Sequence, residues 1–358
     1  MLGNRPPIAQ NVTMKRLETK TVYVGGLPLG GGERIRIQSM CSMKTERVDE
    51  VVAQINRCAA LGASLMRVSV LDEKDAKAIK EIRPRISIPL VADIHFDYRL
   101  ALLSIASGAD AIRLNPGNIG KKEDIEAVVN ACKEKHIPIR IGVNAGSLEK
   151  EIEGVSLSER LVASAKKHVE ILESFGFYDI VLSLKASSVL ETIKAYRLAA
   201  KAFPYPLHIG LTEAGPKDIG LIRSSAALSP LLLEGIGDTI RISLSDEPEE
   251  EIKAAKRLLI DLGLEKGPRL ISCPTCGRTE VNLLPLAKKV QEYLEMHPKE
   301  ITVAVMGCPV NGPGEAKEAD IGIAGGKKSW TLFKKGKVIR TIPQEDIEEI
   351  FFQELENL

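Results

Sequence analysis

Residues 65–115 read LMRVSVLDEKDAKAIKEIRPRISIPLVADIHFDYRLALLSIASGADAIRLN. Three short apolar runs punctuate this stretch: Leu65-Met66-Arg67-Val68-Ser69, Pro89-Leu90-Val91-Ala92-Asp93 and Ala111-Ile112-Arg113-Leu114-Asn115. Each has strand length, and the segments between them have helical length and pattern. Strand–helix alternation requires right-handed crossovers and therefore a parallel sheet. The punctuation continues outward on both sides. Ile35-Arg36-Ile37-Gln38-Ser39 comes before, and Ile139 to Asn144, Ile180 to Lys185, Leu207 to Leu211 and Thr239 to Ser243 come after. Eight such units fill residues 34–262. That matches a closed (β/α)8 TIM barrel better than the alternative, a doubly wound open sheet.

Helix starts support the alternation. Ser156 with Glu159, and Ser188 with Glu191, have capping-box spacing. Asp72 and Asp246 are expected N-caps after the second and eighth strands. Residues 1–33 form an arm and a hairpin, with Thr21 to Val24 and the Gly25-to-Gly32 turn placed to plug the barrel bottom. Residues 263–268, Gly-Leu-Glu-Lys-Gly-Pro, read as a linker. Residues 269–358 then carry their own pattern: a strand at Arg269 to Ile271, a helix from Thr279 to Met296, a strand at Ile301 to Val305, a strand at Ile321 to Ile323, a hairpin from Trp330 to Thr341 and a terminal helix. The fold class is a barrel followed by a small α+β domain.

Composition narrows the function. Of 358 residues 44% are hydrophobic and 27% charged, as in an ordinary soluble protein. The formal net charge of +1 and 4% aromatic content argue against nucleic-acid binding. No apolar run reaches membrane-span length, and the polar start lacks a signal-peptide core. The expectation is a cytoplasmic protein with no membrane or nucleic-acid partner, whose six cysteines are reduced.

Barrel active sites sit at the C-terminal strand ends. There Arg67 stands two before Ser69, Arg113 two before Asn115, Arg241 two before Ser243, and Arg140 four before Asn144. Alternation along a strand points each Arg the way of its polar partner. Lys185 ends the sixth strand and adds a fifth cation. Internal pairing with Asp93 and Glu213 would neutralise only part of this set, so an anionic ligand with more than one charge is expected. Asp93, His95 and Glu213 are the candidates for proton transfer. His208, mid-strand, reads as structural.

Three cysteines gather late in the chain. Cys273-Pro274-Thr275-Cys276 is a C-x-x-C, and Cys308-Pro309 follows about thirty residues on. Together they point to a metal or cluster. Glu315, on the Asn311-Gly312-Pro313-Gly314-Glu315 loop, is the expected oxygen donor to a site from which substrate displaces a ligand. The alternatives are a thiol redox pair, which lacks a thioredoxin-like context, and a structural zinc with His297 as fourth ligand. A radical enzyme using S-adenosylmethionine would need a C-x-x-x-C-x-x-C run that is absent. Cys41, Cys58 and Cys132 read as small buried residues.

Ser272 to Arg278, Met306 to Glu315, Arg113 to Asn118, Arg140 to Asn144 and Leu211 to Gly215 resemble motifs of the 4-hydroxy-3-methylbut-2-enyl diphosphate synthase family, in its shorter two-domain bacterial form. The resemblance spans essentially the whole chain. It implies reductive ring opening and dehydration of 2-C-methyl-D-erythritol 2,4-cyclodiphosphate in the methylerythritol phosphate route to isoprenoids. It implies one 4Fe–4S cluster on Cys273, Cys276, Cys308 and Glu315, with flavodoxin or ferredoxin as electron donor. It assigns Arg67, Arg113, Asn115, Arg140, Asn144, Lys185, Arg241 and Ser243 to the diphosphate, Asn311 to the substrate near the cluster, and Glu213 to the departing hydroxyl. A six-residue linker reaches about 20 Å. It follows a helix running back from the mouth, so the second domain is expected to cap the barrel of a second subunit in a head-to-tail homodimer. Two competing classes stay open at this stage: a pterin-binding-type barrel methyltransferase, which has no use for the cysteines, and a zinc-stapled barrel that binds a phosphorylated ligand.

Overall fold

The structure, a computed structural model, describes residues 15–148, 152, 155–309, 314 and 316–358. The chain divides into two compact units between Leu258 and Leu259.

In the first unit a short hairpin, β1 (Val22–Val24) and β2 (Leu27–Leu29), precedes eight parallel strands. These are β3 (Arg36–Met40), β4 (Leu65–Ser69), β5 (Leu90–Asp93), β6 (Ala111–Arg113), β7 (Ile139–Asn144), β8 (Ile180–Lys185), β9 (His208–Gly210) and β10 (Thr239–Arg241). Their pairing runs β8-β7-β6-β5-β4-β3-β10-β9. The ring closes through a parallel bridge from Leu182 to Leu207 and the bond from Leu182 N to Pro206 O, 2.9 Å. Each expected strand is present, trimmed by at most two residues at an end.

Between the strands lie α1 (Val48–Leu61), α2 (Glu73–Ile82), α3 (Tyr98–Ala106), α4 (Lys122–Lys135), α5 (Leu157–Ser174), α6 (Val189–Ala202) and α7 (Lys217–Leu233), with α8 (Pro248–Asp261) after β10. Asp72 caps α2 by accepting from Lys74 N and Asp75 N. Ser156 and Glu159 form both bonds of a capping box. At α6 only half the box exists. Ser188 accepts from Glu191 N, but the Glu191 carboxylate turns to Ser158 N and Lys194. Asp246 is not an N-cap. Its carboxylate accepts from Glu247 N, and the helix starts at Pro248, a residue suited to a first helical turn. The hairpin lies at the barrel bottom, where Val22, Val24 and Leu29 pack on Leu65, Val91, Ala111 and Val181. Arg36, at the start of β3, donates to Pro28 O and ties the plug in place.

The second unit holds a five-stranded sheet in chain order: β11 (Arg269–Ser272), β12 (Thr302–Met306), β13 (Ile321–Gly325), β14 (Ser329–Lys334) and β15 (Lys337–Pro343). The first three are parallel and the last two antiparallel. Helices α9 (Leu283–Met296) and α10 (Ile347–Glu356) complete it. Side chains alternate as a sheet demands. Val303, Val305, Ile321 and Ile323 meet Leu286, Val290 and Phe351 from the helices on one face, while Ala304, Met306 and Phe333 fill the other. The helix expected from Thr279 begins four residues later. Thr279 closes a turn on Cys276, and Glu280 N donates to Gly307 O, which keeps both out of the helix.

Candidate active site

The mouth of the barrel holds a cavity of about 260 Å3 lined by Met40, Arg67, Asp93, His95, Arg113, Asn144, Ser183, Lys185, Thr212, Arg241 and Ser243. A space below the usual 300–1,000 Å3 of organic-ligand pockets suits a small, heavily charged molecule. The strand alternation thus brings Arg67, Arg113, Lys185 and Arg241 to one place. Asp93 lies between two of them, 3.5 Å from Arg67 Nε and 3.1 Å from Arg113 Nη1. Burial would push its carboxyl up, but Arg67, Arg113, His95 and Arg140 together bring it down to about 2. Asp93 is therefore a fixed counter-ion, which disfavours the expected proton-transfer role. Arg113 also donates to Gly142 O at 2.7 Å and has Nη1 3.4 Å from His95 Nε2.

The second internal acid is not Glu213. Arg241 forms a two-bond pair with the buried carboxylate of Glu251 on α8, Nε at 3.1 Å and Nη2 at 3.2 Å. Glu213 is exposed at the rim, in the left-handed conformation with φ 56°, beside the lining residue Thr212. A non-glycine residue held there carries strain of about 1–3 kcal/mol, a common mark of functional loops. Two carboxylates thus serve five cations, the imbalance the sequence suggested, with a different second acid. Among the described residues Lys185 and Arg140 have no carboxylate partner.

Lys185 is buried, and burial together with Arg241, Arg67 and Arg140 pushes its pKa well below the ordinary lysine value. Arg67 is lowered to about 10 by burial, partly offset by Asp93. Arg140 does not line the cavity. It sits deeper, its Nη1 on Gln38 Oε1, beside a void of about 20 Å3, and among the described residues Nε and Nη2 have no hydrogen-bond partner. Burial and the neighbouring cations lower its pKa too, yet a guanidinium stays charged in proteins, so the group is a strong attractor for an anion. Asn115 also lies off the cavity. Its carboxamide brackets Gly142, accepting from N at 2.9 Å and donating to O at 3.0 Å, and so fixes β7 beside β6. His208 is a structural residue: it is buried, bonded through Nδ1 to Thr239 Oγ1 at 2.8 Å, and burial with Arg140 and Lys185 keeps it neutral.

Two glycines open the room these cations need. A Cβ at Gly142 would stand 2.2 Å from Arg113 Nε, and one at Gly210 would stand 3.1 Å from Lys185 Nζ and 2.8 Å from the Arg241 carbonyl. Glycine inside a strand marks such close approach, and it was the available sequence signal for both. Met40 was missed as well. Its sulfur accepts from Arg67 Nε and Nη2 at 3.2 and 2.9 Å. Glu251 had a signal in its spacing. Residues 251, 255 and 259 share one helix face, and Ala255 and Leu259 on it are buried.

In the second unit Cys273 and Cys308 follow the C-terminal ends of the neighbouring parallel strands β11 and β12. Gly307 N donates to Cys273 Sγ at 3.1 Å, a backbone bond of the kind that supports a cluster thiolate. Cys308 is buried and Cys276 exposed. The backbone N–H of Arg278, with its side chain and Thr279, lowers the Cys276 thiol toward thiolate, the ligating form. This donor set fits an iron–sulfur group in its chemistry. Among the described residues no three cysteine, histidine or carboxylate groups already converge on one point. Glu315 and Asn311, the other expected contributors, lie outside the described residues. The zinc alternative fails on His297. That residue ends α9, fourteen residues and about 20 Å from the cysteine end, with Nδ1 on Tyr293 O and its ring stacked on Tyr293 at 4.1 Å. The remaining cysteines are buried, with the thiols of Cys41 and Cys58 pushed up to about 12 and that of Cys132 also raised, all inert.

Comparison with known proteins agrees with both units. Residues 19–256 match the GcpE TIM-barrel domain, and residues 269–357 match the GcpE protein C-terminal domain. The 4-hydroxy-3-methylbut-2-en-1-yl diphosphate synthase (flavodoxin) of Bacillus licheniformis is 53% identical, over 96% of this chain and 94% of its own. The protein of the same name from Clostridium perfringens is 52% identical over 96% of this chain and 100% of its own. Among solved structures the Yersinia pestis dihydropteroate synthase covers 68% of this chain and 97% of its own length, with a TM-score of 0.51 at 14% identity. That likeness shows the barrel fold alone. With both domain families matched in order and relatives more than half identical along nearly the full length, the chain belongs to the GcpE family.

Proposed function

We propose that this chain carries out the reaction its relatives are named for, forming 4-hydroxy-3-methylbut-2-en-1-yl diphosphate in isoprenoid biosynthesis by reductive opening and dehydration of 2-C-methyl-D-erythritol 2,4-cyclodiphosphate. The observation that carries this reading is the cation excess in and just below the mouth: Arg67, Arg113, Lys185 and Arg241, with Arg140 beneath them, against Asp93 and Glu251 among the described residues. Guanidinium and ammonium groups held in low dielectric are matched to a diphosphate. Asn144 and Ser243, which both line the cavity, supply neutral contacts, and Asn115 acts by holding the Gly142 backbone. Glu213 at the rim is the candidate proton donor to the departing hydroxyl, with His95, which lines the cavity, as a second candidate. A 4Fe–4S cluster on Cys273, Cys276, Cys308 and Glu315 would supply the electrons, received from flavodoxin or ferredoxin, with Asn311 beside the substrate.

Binding should be proton-linked. In the free protein the Lys185 pKa lies well below its ordinary value, and a bound dianion raises it again. Protons are therefore taken up on binding, and affinity falls as pH rises through the free-state pKa. Titration calorimetry with the cyclodiphosphate in two buffers of different ionisation enthalpy measures this. Uptake of protons is the expected result, and no binding at all would remove the reading.

The same proposal includes cytoplasmic location and a head-to-tail homodimer in which one chain's cysteine domain serves its partner's barrel. Its support is the chain path. For the dimer, α8 leads about 21 Å back from the mouth, and the seven residues 262–268 that follow would have to run almost fully extended to return to it. Mixed dimers of Cys273→Ser and Arg113→Ala chains should regain part of the activity that each lacks alone. No recovery on mixing would exclude the shared arrangement.

A further inference from the structure

We infer that Glu251 is a positioning residue that selects which edge of Arg241 meets the ligand, an assignment resting on the reading of the mouth as a diphosphate site. Four donors converge on this one buried carboxylate. Arg241 Nε and Ser39 Oγ reach Oε2 at 3.1 and 2.5 Å, and Arg241 Nη2 and Leu244 N reach Oε1 at 3.2 and 3.0 Å. Ser39 comes from β3, Leu244 from the loop after β10, and Glu251 from α8, so three separate segments fix the carboxylate in place.

The pairing consumes the Nε–Nη2 edge of Arg241. What remains for the cavity is Nη1 and the outer hydrogen of Nη2, an end-on fork for two oxygens of one phosphoryl group. Among the described residues the hydrogen-bond partner of Nη1 is the Met40 sulfur, at 3.8 Å, and that sulfur already accepts two closer bonds from Arg67. An anionic oxygen meets no competitor there. Glu251 does not itself line the cavity and acts through Arg241, which does.

Charge and position predict opposite signs for Glu251→Gln. The amide keeps the volume and removes one negative charge beside the mouth, which by electrostatics alone tightens anion binding. It also turns an NH2 toward the donor edge of Arg241, which spoils the pair and lets the guanidinium rotate. Positioning therefore predicts a Kd for the cyclodiphosphate about tenfold higher, falling to under about twofold when Arg241 is already Ala, because the two residues act as one unit. Calorimetry on wild type, E251Q, R241A and the double variant reads this directly. Equal or tighter binding by E251Q, or the same loss in both backgrounds, overturns the inference. A wild type that does not bind overturns the diphosphate reading instead. Should E251Q fail to fold, Ser39→Ala removes one bond and no charge from the same carboxylate. It should raise Kd about threefold, again only while Arg241 is present, and an unchanged Kd would count against the assignment.

Discussion

Lys185→Met is expected to yield a protein that is more stable than the wild type and unable to hold the diphosphate. The side chain is 7% exposed, ends β8, and has no carboxylate partner among the described residues, while Arg241, Arg67 and Arg140 press on it. Burying the lysine amine costs stability whether it keeps its charge or gives up its proton, and methionine fills a similar volume without that cost, so a gain of about 1–2 kcal/mol is expected. Reprotonated on binding, the same amine lines the cavity without a carboxylate partner among the described residues and is available to an anion. Truncating one partner of a buried charge pair costs about 2–5 kcal/mol, which here is a Kd higher by a factor of roughly 30 or more. The proton uptake on binding should shrink with it. Thermal unfolding and calorimetry on the same sample check both halves. A variant less stable than the wild type with normal affinity would show that Lys185 is a scaffold residue.

Cys308→Ser is expected to leave the barrel and its diphosphate affinity intact while removing the iron and the turnover. Cys308 is buried just beyond β12, and Cys273, beyond the adjacent β11, accepts from Gly307 N, so the two belong to one constellation. Losing an outer-shell partner already lowers metal affinity by about 10–100-fold, and loss of a ligand exceeds that. Cys132→Ser is the matched control. It places a hydroxyl in an apolar site and should cost about 1–3 kcal/mol of stability without changing the iron content. Iron and acid-labile sulfide counts after anaerobic purification separate the two variants. Equal iron in wild type and Cys308→Ser would remove Cys308 from the ligand set.

Much of this site was legible in the primary structure because strand alternation is local. Arg67, Arg113 and Arg241 each lie two residues before a polar strand-end residue, and that spacing alone aims them at the mouth. The count of cations over acids was legible too. The identity of the second acid was less so. Glu251 shares the buried face of α8 with Ala255 and Leu259, but it also reads as one of three glutamates in the first turn, where dipole stabilisation is the ordinary explanation, and its partners on β3 and β10 come only from the packing of that helix. The depth of Arg140 was also beyond reach. It pairs in register with Arg113, but the tilt of barrel strands staggers neighbours along the axis, so one guanidinium faces the cavity and the other Gln38. Asn115 shared the Arg pattern yet is occupied by the Gly142 backbone, a pairing across strands that spacing along one strand does not encode.

Reductive opening of a cyclic diphosphate is read by anaerobic turnover. Protein reconstituted with iron and sulfide is incubated with 2-C-methyl-D-erythritol 2,4-cyclodiphosphate and a stoichiometric one-electron reductant, and phosphorus NMR follows the products. The expected result is loss of the cyclic signal and growth of a linear diphosphate, with two electrons consumed per molecule formed. A cyclodiphosphate that survives unchanged, or opens by hydrolysis with no reductant consumed, would contradict it.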